Sequence, residues 1–211
     1  ELADGKSILV DGGGTFDDRF DIGEQVVAPY LWYRWMRRID VVGLTHPQFD
    51  DMAGLRGVLE NFAVGEVWES GYASYDSTYL WLQDFVRERQ IRLRRITRGD
   101  RIALGPGVVV TVLHPPRPFF IPRKRRPTTM SNNNSLVLHI DHPELRLLLT
   151  GDIEEEGEAS VLDAALTVEA DLLKVPHHGS RGSSSASFLN KVRPRWAVIQ
   201  AGDRNPFGHP H

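Results

Sequence analysis

Four short apolar runs, each ending in a residue able to do chemistry, constrain this chain more than any other feature. They are Ser7-Ile8-Leu9-Val10 before Asp11-Gly12-Gly13-Gly14, and Val41-Val42-Gly43-Leu44 before Thr45-His46. In the second half they are Leu147-Leu148-Leu149 before Thr150-Gly151-Asp152, and Leu172-Leu173-Lys174-Val175 before Pro176-His177-His178. A brief, nearly continuous apolar run bounded by turn formers reads as a buried strand. Polar side chains at the ends of such strands are where α/β proteins assemble their sites. The chain therefore reads as an α/β fold with its chemistry at strand ends.

Between these runs the periodicity changes twice. Gly23 to Arg37 predicts a helix, with Pro29 near its first turn and Val26, Val27, Tyr30, Leu31 and Trp35 on one face. Met52 to Phe62 predicts another (Leu55, Leu59, Phe62), and Val64 to Glu69 a strand. Tyr75 to Arg89 predicts an amphipathic helix with Leu80, Leu82, Phe85 and Val86 in the core. From Ile91 onward the pattern is β: Ile91 to Ile96, Arg101 to Leu104 and Val108 to Leu113 read as antiparallel strands. Arg117 to Asn134 reads as a long loop, and Leu136 to Ile140 with Leu145 to Thr150 as two strands joined by a turn. A helix (Glu154 to Leu166), a strand (Ala170 to Val175), a helix (Ser184 to Val192) and a strand (Trp196 to Gln200) follow. This order fits an α/β (α+β) αββα sandwich, two mixed β-sheets with helices on their outer faces, better than a doubly wound sheet. Residues 1–211 are expected to form one domain.

Composition narrows the chemistry. The 211 residues carry a formal net charge of −3, so contact with nucleic acid would need a local basic patch. Cysteine is absent, which excludes disulfides and thiolate metal sites and leaves His, Asp, Glu and Asn as ligands. No apolar run approaches the roughly 18 residues needed to span a bilayer. Glu1 lies almost against the first strand, and Gly208-His209-Pro210-His211 ends without a closing element. The chain is read as a piece of a longer polypeptide.

Each polar cluster has a functional and a plain reading. Asp11 can hold a metal or a metal ligand, or simply open a glycine turn. His46-Pro47-Gln48-Phe49-Asp50-Asp51 can converge on a divalent cation, although Asp50 or Asp51 could cap the next helix. Asp152 is either a bridging ligand or the N-cap of the helix at Glu154. Adjacent His177 and His178 at a buried strand end are better explained as a ligand, a general acid or a phosphate contact than as core residues. His209 and His211 follow the same logic; His114, His139 and His142 read as structural or surface residues.

Taken in order, these clusters resemble the metallo-β-lactamase superfamily and, more narrowly, the hydrolase domain of ComEC-type DNA-uptake competence proteins. The resemblance rests on Leu9-Val10-Asp11-Gly12-Gly13-Gly14, Phe20-Asp21-Ile22-Gly23-Glu24, Thr45-His46-Pro47 with Asp50, and Asn132-Asn133-Asn134-Ser135-Leu136-Val137-Leu138. It continues through Leu149-Thr150-Gly151-Asp152, Lys174-Val175-Pro176-His177-His178-Gly179-Ser180 and Asn205-Pro206-Phe207-Gly208-His209-Pro210. It implies an αββα fold and one or two divalent metal ions, zinc or manganese. It also implies a nuclease role on DNA, expected to be single-stranded, degrading the strand that is not imported during competence uptake. The parent would be a protein of the bacterial inner membrane, carrying this soluble domain on a side that the residues do not fix, in an oligomeric state they do not fix either. The metal ligands implied are His46, Asp50, Asp51, Asp152, His178 and His209, with Asp11, Gln48 and Asn134 in support. Asp50, Asp152, His177 and His178 are the implied catalytic set.

The superfamily pattern His-x-His-x-Asp-His reads here as His46, Gln48, Asp50 and Asp51. Gln48 is a poor ligand and Asp51 replaces an imidazole. Such an oxygen-rich set suits Mn²⁺ or Mg²⁺ better than Zn²⁺. The basic stretch Arg123-Lys124-Arg125-Arg126, near Arg117, Phe119 and Phe120, is the candidate nucleic-acid contact. Two rivals stand beside metal-assisted phosphodiester hydrolysis. One is a metal-dependent small-molecule hydrolase of the same fold; the other is a scaffold whose site has degenerated at Gln48 and Asp51.

Overall fold

The structure is a computed structural model and describes residues 1–211 except 3, 16–19, 124–125 and 203–204. The chain forms two compact units, Glu1–Ile96 and Thr97–His211. The first holds strands β1 (Ile8–Val10), β2 (Arg38–Leu44), β3 (Ala63–Glu69) and β4 (Arg92–Arg95) in one sheet of order β1-β2-β3-β4. Every pairing is parallel, with Ile8 opposite Val41, Val42 opposite Val67 and Val67 opposite Leu93. The expected mixed sheet and antiparallel β4 are thus corrected. A parallel neighbour requires a crossover, and helices between successive strands supply it. These are α1 (Ala28–Tyr33), α2 (Phe49–Met52) with α3 (Leu55–Asn61), and α4 (Ser77–Glu88). The consequence matters for the site: all strand ends point one way, so Asp11 and Thr45-His46 leave the sheet at the same edge.

Two helices depart from their sequence reading. The stretch Gly23–Val27 is wound as a π-turn running into α1. That wider winding slips the residues by about one position against the α-helical period. Ala28 and Leu31 are buried, whereas Val26, Tyr30 and Trp35 of the predicted core face are 51%, 57% and 89% exposed. In α4, Asp76 caps the N-terminus by accepting from Thr78 N at 2.8 Å, and Tyr79 takes the buried place expected of Leu80. The predicted helix from Met52 is split in two. Gly54 lies against the Gly12 backbone too closely for any Cβ, and its N–H donates to Gly13 O at 2.8 Å. The core of this unit is Ile39, Val42, Leu44, Val58, Leu82, Val86 and their neighbours.

The second unit is a six-stranded sheet of order β10-β9-β8-β7-β6-β5. Its strands are β5 (Arg101–Gly105), β6 (Val108–His114), β7 (Val137–His142), β8 (Leu145–Leu149), β9 (Leu172–Lys174) and β10 (Trp196–Val198). β5 to β8 run antiparallel; β8, β9 and β10 run parallel, so this sheet is mixed, as expected. The stretch read as a loop up to Asn134 contains α5 (Pro127–Asn132), with proline in its first turn where no N–H is needed. Helices α6 (Glu155–Leu162) and α7 (Ala186–Val192) make the parallel crossovers, and Phe188, Val161, Leu148 and Leu173 fill the core. Among the described residues no helix is long and apolar enough to cross a membrane.

Candidate active site

In the first unit, one chain of hydrogen bonds sets the orientation of His46. Asp11 sits just past β1 with φ 61°, a left-handed turn that returns its carboxylate toward β2. Its Oδ1 accepts from Thr45 N at 2.8 Å and its Oδ2 from Thr45 Oγ1 at 2.9 Å. A carboxylate only accepts, so the Thr45 hydroxyl spends its proton on Asp11. The hydroxyl oxygen, 3.0 Å from His46 Nδ1, is left to accept the Nδ1 proton. His46 Nε2 is then the ring's lone-pair atom. It is buried, makes no hydrogen bond among the described residues, and lies 3.7 Å from Asp51 Oδ2. Asp50 and Asp51 lie in the first turn of α2, whereas the N-cap positions are Gln48 for α2 and Gly54 for α3, neither with a side-chain capping bond.

The second unit repeats this logic at the ends of β8 and β9. Asp152 is 1% exposed, and its N–H donates to Ser135 Oγ at 3.2 Å. It is not a helix cap, because α6 is capped at Glu154. His178 Nδ1 lies 2.7 Å from the carbonyl of Gln200, an acceptor only, so Nδ1 carries the proton there. His178 Nε2 faces Asp152 Oδ2 at 3.2 Å. Lys174 Nζ lies 3.6 Å from Asp152 Oδ1 and donates to Gly151 O at 3.3 Å. His177, His178 and Gly179 adopt φ of 47°, 52° and 79° in succession. Backbone held in this region by non-glycine residues costs on the order of 1 kcal/mol each and is concentrated at functional sites.

His177 and His209 stand with ring centroids 5.7 Å apart, and His209 and His211 5.3 Å apart. The Nδ1 atoms of His177 and His209 are buried and have no hydrogen-bond partner among the described residues. Burial, then the neighbouring imidazoles of His177, His211 and His178, hold the His209 pKa below the usual histidine range. Asn205 fixes the turn that presents His209, accepting from its N–H at 3.0 Å and donating to its carbonyl at 2.7 Å.

The remaining predicted residues have other placements. Asn134 is fully buried, and its amide bonds Phe120 N, Phe120 O and Met130 O, so it ties down the preceding loop. Arg123 is exposed, with its N–H on Glu156, and Arg126 is the exposed N-cap of α5; Lys124 and Arg125 lie outside the described residues. The aromatics expected to face nucleic acid are engaged locally: Phe119 lies under the Arg117 guanidinium at 3.9 Å and Phe120 against His114. His114 and His139 are buried structural residues, as expected, bonding the carbonyls of Asn133 and Glu169. Sequence reasoning assigned no role to Thr45 or Lys174. A lysine within an apolar strand was the available signal for the second; nothing in composition marks the first.

Residues 2–202 match the family model of the metallo-beta-lactamase superfamily. The chain is 32% identical over 215 residues to ComE operon protein 3 of Bacillus subtilis (strain 168), covering 97% of this chain and 26% of that protein. It is 27% identical over 210 residues to Recombination protein 2 of Haemophilus influenzae, covering 100% and 23%, and 29% identical over 186 residues to Competence protein ComA of Neisseria gonorrhoeae, covering 87% and 23%. The chain thus spans about a quarter of the length of these relatives. Among solved structures, the metallo-beta-lactamase fold protein YhfI from Bacillus subtilis superposes with a TM-score of 0.55 at 12% identity, covering 96% of this chain and 79% of that one. That likeness concerns the fold alone. The chain belongs to the metallo-β-lactamase superfamily and is related within it to the competence proteins.

Proposed function

We propose that this domain is a metal-dependent phosphodiesterase acting on single-stranded DNA, one part of a larger competence protein tethered to the bacterial inner membrane. The observation that carries the reading is the state of the two imidazoles. In both His46 and His178 the Nδ1 proton is committed, to Thr45 Oγ1 and to Gln200 O, so Nε2 offers a lone pair directly toward a carboxylate. Two lone-pair atoms face one another stably only with a cation or a proton between them, and a divalent metal suits this donor set. We assign His46, Asp50 and Asp51 in the first unit, and Asp152, His178 and His209 in the second, as metal ligands, each set within its own unit. With at least three carboxylates among them, Mn²⁺ or Mg²⁺ is favoured over Zn²⁺.

When bound, such an ion activates water and neutralises charge building on phosphoryl oxygens. The protein's own groups do the rest. Asp11 and Thr45 hold His46 in one tautomer, and Gln200 O does the same for His178. Lys174 offsets the charge of buried Asp152. His177 is assigned to donate a hydrogen bond or a proton to a leaving oxygen, a role supported by a buried Nδ1 that makes no hydrogen bond among the described residues. Gln48 adds an amide that neither binds a metal strongly nor carries charge.

The test compares substrates in Mn²⁺, Mg²⁺ and Zn²⁺. The purified chain should hydrolyse bis(p-nitrophenyl) phosphate and leave a thioester, a lactone and a β-lactam essentially untouched. Preference for one of the latter would move the domain to small-molecule hydrolysis. No metal binding and no turnover of any substrate would make it a scaffold with a degenerated site.

A further inference from the structure

We propose that a cavity on the first unit is a seat for one nucleobase of the substrate strand; the choice of occupant rests on the phosphodiesterase reading above. The cavity opens to solvent, has a volume of about 320 Å³ and is lined by Gly14, Asp21, Phe49, Ala53, Arg56, Thr78 and Trp81 among others. That volume lies at the lower end of the roughly 300–1,000 Å³ seen for small-molecule sites, which suits a single nucleoside rather than an extended ligand.

Its walls carry what a base requires. The Arg56 guanidinium lies over the Trp81 ring, 5.0 Å from its centroid, and is steadied by Glu60 Oε1 at 3.2 Å from Nε. The Arg56 side chain is still 55% exposed, so a planar cation backed by an indole is presented to solvent. Bases stack on guanidinium planes and on aromatic rings. Asp21 and Thr78, which also line it, carry a carboxylate and a hydroxyl of the kinds that bond the edge of a base. A phosphate fits less well: Arg56 is the one cation among the described lining residues, it is already paired, and Asp21 would repel an anion.

The position connects the cavity to the chemistry. Phe49 immediately precedes Asp50 in α2, and Gly14 packs on the Phe49 carbonyl and the Asp50 Cα with no room for a Cβ. The cavity wall and the proposed ligand segment are therefore one continuous piece of backbone, since Phe49 lines the cavity and Asp50 follows it in the same helical turn.

Fluorescence anisotropy with a labelled oligothymidylate and an abasic strand of equal length, both in EDTA, reads the seat without hydrolysis. The wild type should bind the base-bearing strand at least about fivefold more tightly. Arg56→Ala and the cavity-filling Ala53→Phe should each abolish that preference while leaving the urea midpoint and the Mn²⁺ affinity of the protein unchanged. An equal preference in wild type and in folded variants, or no preference in the wild type, overturns the proposal. Metal-dependent cleavage without base preference removes the seat and leaves the phosphodiesterase reading standing. Base preference without cleavage in any metal does the reverse.

Discussion

Replacing Thr45 by valine removes one hydroxyl from a buried relay while keeping the shape of the side chain. Thr45 is 1% exposed and bridges the Asp11 carboxylate to His46 Nδ1 through bonds of 2.9 and 3.0 Å. The valine removes the charge-assisted bond that Asp11 Oδ2 accepts from Thr45, worth about 1.5–3 kcal/mol, and strands a buried Nδ1–H at a further cost of about 1–3 kcal/mol. Because Asp11 Oδ1 keeps its bond to Thr45 N, the two costs will not add in full, and a loss of about 2–4 kcal/mol in stability is expected. The same change frees the His46 ring to rotate or to switch tautomer, so Mn²⁺ affinity should fall about 10- to 100-fold, the usual cost of losing a ligand's outer support. Urea denaturation gives the first quantity and isothermal titration with Mn²⁺ the second. Thr45→Ser, which keeps the hydroxyl, should restore most of both. If Thr45→Val binds Mn²⁺ like the wild type while Thr45→Ser does not differ from it, the relay does not orient His46, and the account of that tautomer is wrong.

Further outcomes follow from the buried polar groups. Burial first, and then the Arg98 charge, lower the His114 pKa from 6.5 to about 4 against the opposing bond to Asn133 O. The folded state thus keeps this histidine neutral: its full contribution is present above the unfolded pKa near 6.5 and is lost as pH falls toward 4. The difference is on the order of 3 kcal/mol, and urea midpoints in wild type and His114→Gln should diverge in slope across that window; parallel slopes would refute it. Asn133 Oδ1 accepts from Glu154 N and Gly157 N at the start of α6. Asn133→Ala should therefore cost about 1–3 kcal/mol in stability with Mn²⁺ affinity unchanged in the folded protein, and a large drop in affinity would mean that the residue acts on the site rather than on the helix.

Much of this arrangement was legible in the sequence because its signals were local. Apolar runs ending in Asp11, His46, Asp152 and His177 gave both the strands and the places where chemistry could gather. Direction was not legible: Ile91 to Ile96 alternates alike in parallel and antiparallel strands, and only the α4 crossover decides between them. The face of α1 was misread because the π-turn at Gly23–Val27 breaks the 3.6-residue period on which such a reading depends. α5 was hidden because Pro127-Thr128-Thr129-Met130-Ser131-Asn132 has no apolar stripe. The run Asn132-Asn133-Asn134 was read as part of a functional motif. Asn133 and Asn134 instead satisfy buried backbone groups, a role that leaves no periodicity. Thr45 was missed for a similar reason, since its part in the site depends on a residue 34 positions away.

The most direct test of the central claim is cleavage of single-stranded DNA in Mn²⁺, Mg²⁺, Zn²⁺ or EDTA, with wild type beside Asp152→Asn. Cleavage that requires the metal, is fastest in Mn²⁺ or Mg²⁺, and falls to background in Asp152→Asn is the predicted result. Cleavage that survives EDTA, cleavage undiminished in Asp152→Asn, or none with any metal would contradict it.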